Sequence, residues 1–288
     1  MGRTSGRPLS DALAIETFLT DIGISFRSTQ VKLIYEAELA LGTGQKPTFS
    51  HRENRNPAYR EEVKRGELRQ RIVEELFTVK RLPNDDKIKL GYGGALPIAK
   101  DPVNEKQAFF VLGLPGSGKS TVVNKISEQY GAVVIDSDYA KRKLPEYDRM
   151  PGPANLVHEE SVHVSFNGPN SLFTKCLAEG YNIVIPKVGS RVSELSELRD
   201  VLKEVGYKNH ITLIELDRFE ATKRAFNRFL KTKRYVPLGL IFDVYANDPL
   251  LAYYKHKMEW DSWGAISTSG VTPEQLEKSD DINPASLF

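Results

Sequence analysis

The stretch that decides the fold is AFFVLGLPGSGKST, at residues 108–121. Its apolar first part predicts a buried strand at 108–113, and residues 119–130 have the apolar spacing of a helix. Between the two, residues 113–120 fit the pattern G-x-x-x-x-G-K-[ST]. The glycines let backbone N–H groups approach phosphate oxygens, and the helix N-terminus adds a favourable dipole. The stretch predicts a loop that binds a nucleoside triphosphate, with a structural glycine-rich turn as the alternative.

The polar residues of this loop have expected roles. Lys119 is expected to reach the β- and γ-phosphates of ATP, and the Ser120 hydroxyl is expected to ligate Mg²⁺. ATP and Mg²⁺ are therefore the expected cofactors. The residues expected to bind ATP are Gly113, Gly116, Ser117, Gly118, Lys119, Ser120 and Thr121.

Strands and helices alternate after this loop. Further runs typical of strands lie at 132–136, 181–186 and 211–216. Helical patterns lie at 157–179, 191–206 and 218–233. This alternation predicts parallel βαβ units, so we expect an α/β fold of the P-loop kinase type, with a parallel sheet flanked by helices. We expect this domain to span 106–270 and a flexible tail to follow at 271–288.

The residues before the sheet show helical patterns alone. Ser10 and Thr29 are candidate N-caps of two helices, and Asn56–Pro57 is expected to open a third, which Gly66 could break. We therefore expect a small all-α domain of three helices at 1–80. Residues 81–105 contain three prolines and three glycines, so they predict a linker that also docks on the fold.

Composition narrows the classes of protein. The chain has 288 residues, 40% of them hydrophobic and 27% charged, as in ordinary globular proteins. Its single cysteine, Cys176, excludes an intramolecular disulfide and fits a cytoplasmic location. A net charge of +2 argues against nucleic acid or a membrane as the main partner. The apolar runs are shorter than the ~20 residues that span a bilayer.

Two acids follow the second predicted strand directly. Asp136 and Asp138 are expected at the carboxyl end of that strand, where an open parallel sheet forms its ligand crevice. One carboxylate is expected to accept a proton from an attacking hydroxyl, and the other to hold Mg²⁺ through a water molecule. A helix cap is the alternative role for such a pair.

The loop and these acids together resemble the zeta toxins, P-loop small-molecule kinases of toxin–antitoxin systems. LPGSGKST is followed by VVIDSDYAKRKLPEY, which fits the family pattern D-x-D-x-x-[KR]-x-x-x-P-x-aromatic. The matching residues are Asp136, Asp138, Lys141, Pro145 and Tyr147. The resemblance covers about 108–240. It implies that Asp138 is the general base that deprotonates a sugar hydroxyl and that Lys141 lies near the phosphates of the acceptor; Asp136 is then the candidate metal ligand.

The acceptor side matches the family less well. Zeta toxins have a polar helix that contacts the acceptor, and this implies roles for His163 and Ser165, with a solvated helix as the alternative. Their third strand commonly ends in an acid that binds the acceptor sugar, whereas Pro186 stands at that position here. The residues that follow offer hydrogen-bond donors, which suit a phosphorylated acceptor: Lys187, Ser190 and Arg191.

Basic residues crowd the helix after the fourth predicted strand and its exit. P-loop kinases need cations beyond the transferred phosphoryl group, where negative charge is spread in the transition state. By resemblance, Arg228 and Arg234 are the candidates, because arginine contacts phosphate better than lysine. A solvated basic face is the alternative.

The resemblance implies a toxin-type kinase that transfers the γ-phosphate of ATP to a sugar hydroxyl of UDP-N-acetylglucosamine. Because Pro186 replaces the acid, NAD phosphorylated on its adenosine ribose is the alternative acceptor, as in type III effectors of the superfamily. Polynucleotide kinase is another alternative, and an NTP-dependent switch or a binding module are the competing classes. The location implied is the bacterial cytoplasm, or the host cytosol for a secreted effector.

The N-terminal helices suggest regulation. Most zeta toxins are covered by a separate three-helix antitoxin, so the resemblance implies that residues 1–80 are a cis-acting antitoxin-like domain; a separate antitoxin protein is the alternative partner. Acids of the first helix are candidates to meet the basic groups of the ATP site: Asp11, Glu16 and Asp21. The competing interpretation is that the helices only extend the core.

Overall fold

A computed structural model describes residues 6–7, 9–42, 46–147 and 156–288. Three helices come first: α1 (Ala12–Asp21), α2 (Ser28–Gly42) and α3 (Glu62–Thr78). They are followed by β1 (Gln107–Leu112), α4 (Lys119–Tyr130), β2 (Val133–Val134), α5 (Ser137–Lys143), α6 (His158–Val162), α7 (Leu172–Glu179), β3 (Ile183–Lys187), α8 (Val192–Glu204) and β4 (Lys208–Glu215). The last elements are α9 (Arg218–Thr232), α10 (Asp248–His256), β5 (Ser262–Ser267) and β6 (Glu274–Lys278).

In the described residues the strands form one sheet of six, in the order β2-β3-β1-β4-β5-β6. The first five strands in this order pair in parallel, and β6 pairs antiparallel with β5. The central strand β1 is buried along Ala108–Leu112, each residue being at most 1% exposed. The predicted α/β fold with helices around a parallel sheet is confirmed, and β1 places the P-loop at the middle of the sheet edge.

The apolar side chains form two cores. The main core surrounds the sheet and includes Leu68, Ile72, Val73 and Leu76 of α3. The second core joins α1 and α2 to α9, to Leu114 and to residues 235–242. The three predicted N-terminal helices are present, but they do not share one core, so the expected boundary at residue 80 separates α3 from the sheet that it packs against.

Several local predictions need correction. Asp11 rather than Ser10 caps α1, because its side chain accepts a hydrogen bond from the Ala14 N–H at 2.9 Å. Helix α2 begins at Ser28, so Thr29 lies within it. Asn56 caps only a short 3₁₀ turn, and Gly66 does not break α3.

Residues 81–105 are not a loose linker. Ile88 and Ala95 are in the main core, and the Ala95 carbonyl accepts a hydrogen bond from the Val134 N–H at 3.0 Å. The docking part of the prediction is right, because this segment buries apolar side chains against β2 and α3 despite its prolines and glycines.

The predicted flexible tail at 271–288 is wrong. Strand β6 pairs with β5, and beyond it Asn283 is fully buried, with Nδ2 donating to the Ile211 carbonyl at 3.1 Å. The sequence did not indicate this strand because its side chains are mostly polar. An edge strand is held by backbone hydrogen bonds and can expose much of its surface. No helix in the described part of the chain is long and apolar enough to cross a membrane.

Candidate active site

A cavity of about 620 Å³ opens at the carboxyl ends of β1, β2 and β3. It is lined by the P-loop, by α5, by the start of the loop after β3 and by basic side chains of α9 and the segment after it. The sequence-predicted site residues that line it are Gly116, Gly118, Lys119, Ser120, Asp136, Asp138, Lys141, Lys187, Arg228 and Arg234. The structure therefore brings most of the predicted phosphate-handling groups into one cavity.

The P-loop depends on its glycines. Gly116 and Gly118 have φ angles of +88° and +85°, a region that side chains disfavour. A Cβ at Gly116 would lie 2.3 Å from the Ala221 carbonyl oxygen. Gly113 and Ser117 belong to the loop but do not line the cavity; Ser117 is fully buried, and Thr121 is exposed outside the lining.

The side chain of Lys119 forms hydrogen bonds with the backbone of its own loop. Its Nζ donates to the carbonyls of Gly113 at 2.6 Å and Leu114 at 2.8 Å. Burial lowers the pKa of Lys119 from 10.5 to about 7, the nearby charge of Arg228 adds to the shift, and Asp136 opposes it. An anion placed on the loop would restore the charged form, because opposite charge favours the ammonium ion.

The two acids after β2 have different environments. Asp136 caps α5, its Oδ1 accepting from the Asp138 N–H at 2.9 Å, so the helix-cap interpretation holds for Asp136 while it also lines the cavity. Asp138 accepts from Lys141 Nζ at 2.9 Å through Oδ1, and its Oδ2 pairs with Arg234. Burial lowers the pKa of Lys141.

The predicted cations enter the cavity from α9 and the segment after it. Arg228 Nε is buried and has no hydrogen-bond partner in the described residues, and burial lowers the pKa of Arg228. Arg224, which we did not choose from the sequence, also lines the cavity and donates to the Thr268 carbonyl at 2.9 Å. Arg228 lines the cavity together with Lys119, so its guanidinium is placed to bind a phosphoryl group.

On the acceptor side, Lys187 lines the cavity beside Pro186, and its Nζ lies 4.1 Å from the centroid of the Phe166 ring. Burial lowers the pKa of Lys187. Of the three hydrogen-bond donors predicted around the end of β3, Lys187 therefore lines the cavity.

The other acceptor candidates lie outside the described lining of the cavity, and their roles stay predictions. His163 and Ser165 belong to a π-helical turn that packs inward, with His163 against the Phe49 ring and Ser165 fully buried. Ser190 is absent from the lining, and Arg191 pairs with Glu194 at the start of α8, with 60% of its side chain exposed.

The acids of α1 do not reach the cavity either. Asp11 is used as a helix cap, and Asp21 lies 3.6 Å from Arg7. No residue in the described parts of 1–80 lines the cavity, so the predicted occluding contacts, including that of Glu16, are wrong.

Sequence reasoning missed a segment of the cavity wall at residues 83–86. The Tyr139 hydroxyl donates to Asp85 at 2.7 Å, and Arg142 Nη2 donates to Asp86 at 3.0 Å. The signal was the run Asn84–Asp86 inside a stretch interpreted as a linker, where only the fold reveals that Asp85 meets Tyr139 and Asp86 meets Arg142.

The fold and the cavity define a P-loop kinase. The sequence model described as "Zeta toxin" matches residues 95–247, more than half of the chain. This protein belongs to the zeta toxin family, and it is an ATP-dependent kinase. No curated protein matches the sequence significantly.

Similar solved structures include the AvrRxo1-ORF1:AvrRxo1-ORF2 complex, with 15% identity over 82% of this chain and 71% of that chain and a TM-score of 0.50. The PezAT chromosomal toxin–antitoxin system of Streptococcus pneumoniae has 18% identity over 66% of this chain and 78% of that chain, with a TM-score of 0.49. A gluconokinase from Sinorhizobium meliloti has 18% identity over 58% and 86%, with a TM-score of 0.37. At 15% identity, the similarity to the AvrRxo1-ORF1:AvrRxo1-ORF2 complex shows a shared fold alone.

Proposed function

We propose that this protein transfers the γ-phosphoryl group of ATP to a sugar hydroxyl of an acceptor that carries a pyrophosphate, with UDP-N-acetylglucosamine as the first candidate. The observation that carries the proposal is the Asp138 carboxylate, which lines the same cavity as Lys119 and Arg228. A carboxylate beside a P-loop is placed to accept the proton of an attacking hydroxyl.

The proposed step follows from these groups. The sugar hydroxyl gives its proton to Asp138, its oxygen forms a bond to the γ-phosphorus, and the bond to the bridging oxygen of ADP breaks. Lys119 and Arg228 balance the charge on the phosphoryl oxygens. Arg234 pairs with Asp138 before substrates arrive, so its transfer to the phosphoryl group would release the base at the right moment.

Mg²⁺ fits the donors present. Ser120 and Asp136 both line the cavity beside Lys119, and their oxygens are the ligands that Mg²⁺ prefers. In this proposal they hold the ion, directly or through water. When bound, Mg²⁺ would neutralise part of the phosphate charge.

The charge of the cavity favours an acceptor with phosphates of its own. Seven basic and four acidic side chains are among the described residues that line it. Lys141 and Lys187 are basic groups of the lining outside the P-loop and the α9 arginines. A nucleotide sugar supplies both the hydroxyl and the negative charge that such a wall would bind.

NAD is the second candidate acceptor, and Pro186 is the observation that favours it. A proline side chain at the end of β3 offers no hydrogen bond to a sugar hydroxyl. NAD also carries a pyrophosphate and ribose hydroxyls, so it meets the same charge requirement without needing an acid at that position.

The test is incubation of the purified protein with ATP and, separately, UDP-N-acetylglucosamine, NAD, free N-acetylglucosamine and an oligonucleotide with a 5′-hydroxyl. Mass spectrometry then detects the gain of about 80 Da that one phosphoryl group adds. We expect the gain with UDP-N-acetylglucosamine and none with the sugar that lacks a pyrophosphate. The Lys119→Ala variant is the control. No gain with either pyrophosphate compound, while ATP is bound, would contradict the proposal.

We also propose that α1 and α2 inhibit the kinase by restraining the lid segment, residues 234–242, rather than by covering the cavity. The Tyr235 hydroxyl hydrogen-bonds Glu38 of α2, and Leu238 and Ile241 are fully buried in the core that α1 and α2 share with α9. This arrangement supports a state in which Arg234 stays on Asp138. A separate antitoxin protein is the alternative partner.

A further inference from the structure

A carboxylate that the proposed reaction does not use lies on the wall of the cavity. Asp86 keeps 35% of its side chain exposed there. Its Oδ1 accepts a hydrogen bond from Arg142 Nη2 at 3.0 Å and lies 3.5 Å from Arg234 Nη1. The Arg234 guanidinium also pairs with Asp138. Asp86 and the candidate base therefore lie on two sides of one guanidinium group.

Helix α5 fixes the position of Asp86 relative to Asp138. Tyr139 donates to Asp85, and Arg142 donates to Asp86, and both donors belong to α5. Asp138 is on the same helix. The segment with Asp86 and the helix with the base therefore form one unit, and the spacing of the two carboxylates is built into the fold.

The other acids of the described lining have assigned contacts. Asp136 caps α5, and Asp85 accepts from the buried Tyr139 hydroxyl. At the end of β3, Pro186 cannot accept a hydrogen bond through its side chain. Both arginine contacts of Asp86 use Oδ1, so Oδ2 offers its lone pairs to a ligand in the cavity.

We propose that Asp86 binds the acceptor by accepting a hydrogen bond from the sugar hydroxyl next to the one that Asp138 deprotonates. Adjacent hydroxyls of one ring point to neighbouring positions, which matches two carboxylates that share one guanidinium. Asp86 thereby determines which sugar is accepted. This inference rests on the proposed function.

The test compares Asp86→Asn with Asp101→Asn in the full-length protein. Asp101 belongs to the same segment, but its side chain is 94% exposed, pairs with Lys80 at 3.7 Å and lies outside the cavity lining. A hydrogen bond to a charged group corresponds to about a tenfold to hundredfold effect, so KM for the acceptor should rise by that factor in Asp86→Asn. KM for ATP and ATP hydrolysis without acceptor should change by a much smaller factor than KM for the acceptor, because Asp86 influences the phosphoryl group only through its contact with Arg234. Asp101→Asn should match the wild type in all three.

A second measurement tests specificity. UDP-N-acetylgalactosamine inverts the C4 hydroxyl, which is next to the C3 hydroxyl. With transfer to the C3 hydroxyl, the wild type should prefer UDP-N-acetylglucosamine by about tenfold, and Asp86→Asn should lose most of that preference. If NAD is the acceptor, its analogue lacking the adjacent ribose hydroxyl replaces the epimer.

The possible failures are distinguishable. An unchanged KM for the acceptor in an Asp86→Asn protein that still makes product overturns the inference alone. A parallel loss of acceptor-independent ATP hydrolysis also overturns it, because Asp86 would then support the whole site. Absence of product from the wild type with both acceptors overturns the proposed function and this inference with it.

Discussion

Helix α3 and the pair α1–α2 are neighbours in the sequence, but they belong to different parts of the molecule. Helix α3 packs into the sheet core, whereas Phe18, Leu19 and Ile34 of α1 and α2 pack with α9 and the lid segment. The first eighty residues therefore do not pack as one unit. Helix α3 packs with the sheet of the kinase, and in the proposed function α1–α2 restrains the segment that contains Arg234.

The strongest expected contrast concerns the stability of α3. Arg65 is fully buried between Glu146 and Glu160, and Arg65→Ala would leave two buried carboxylates without it. We expect a loss of about 3–5 kcal/mol in the free energy of unfolding, measured in urea. Arg71→Ala on the same helix removes a pair with Glu75 whose arginine is 56% exposed, and it should cost at most about 1 kcal/mol. Equal losses would place α3 outside the core.

The second contrast is removal of α1 and α2 by deleting residues 1–46, which leaves α3 in place. The restraint on Arg234 includes a hydrogen bond to a carboxylate, so we expect kcat to rise about tenfold when it is lost. The thermal transition should stay cooperative but move to lower temperature, since apolar residues of the lid segment become exposed. The same deletion with Lys119→Ala should be inactive. A folded truncated protein with unchanged kcat would leave α1–α2 as a scaffold.

A smaller effect is expected from Glu38→Gln, which keeps the shape of the contact with Tyr235 but removes its charge. Burial raises the pKa of Glu38 above 4.5, so the folded protein binds this proton more tightly than the unfolded chain does. As pH falls towards that raised pKa, Glu38 becomes neutral, and because protonation favours the state with the higher pKa, the buried contact and the restraint on the lid segment become stronger. The ratio of wild-type kcat to Glu38→Gln kcat should therefore approach one in mild acid. Glu36→Gln, at an exposed position of α2, should behave like the wild type at every pH.

The smallest expected effect is proton uptake at Lys119 of the P-loop, and it should not depend on α1 and α2. With a pKa of about 7, Lys119 is partly neutral at pH 7–8, and bound ATP should restore its charge. ATP binding should then take up protons above pH 7, and affinity should fall as pH rises, by at most about tenfold per unit. Calorimetry in buffers of different ionisation enthalpy measures this uptake. The chain lacking residues 1–46 should show the same uptake, because burial is the main cause of the shift, and Lys119→Ala should show none.

Prediction from sequence succeeded where chemistry fixes local geometry. The P-loop, Asp138 and the sheet follow from glycine conformations, from apolar runs and from the alternation of elements. It missed contacts that are distant in the chain: Asp86 meets Arg142 because residues 81–105 pack on the fold, and His163, in a π-helical turn, packs against Phe49. Neither the Asp86–Arg142 contact nor the His163–Phe49 contact produces a periodic pattern in the sequence.

In the proposed reaction, Asp138 takes the proton of the acceptor hydroxyl in this cavity. The most direct measurement is phosphoryl transfer by Asp138→Asn, with ATP affinity determined on the same protein. We expect ATP affinity to be largely retained and the rate of transfer to fall by about 10²–10⁴-fold, the typical contribution of a general base. Near-normal transfer in a folded Asp138→Asn protein would contradict the account, because the carboxylate that defines the proposed site would then be dispensable.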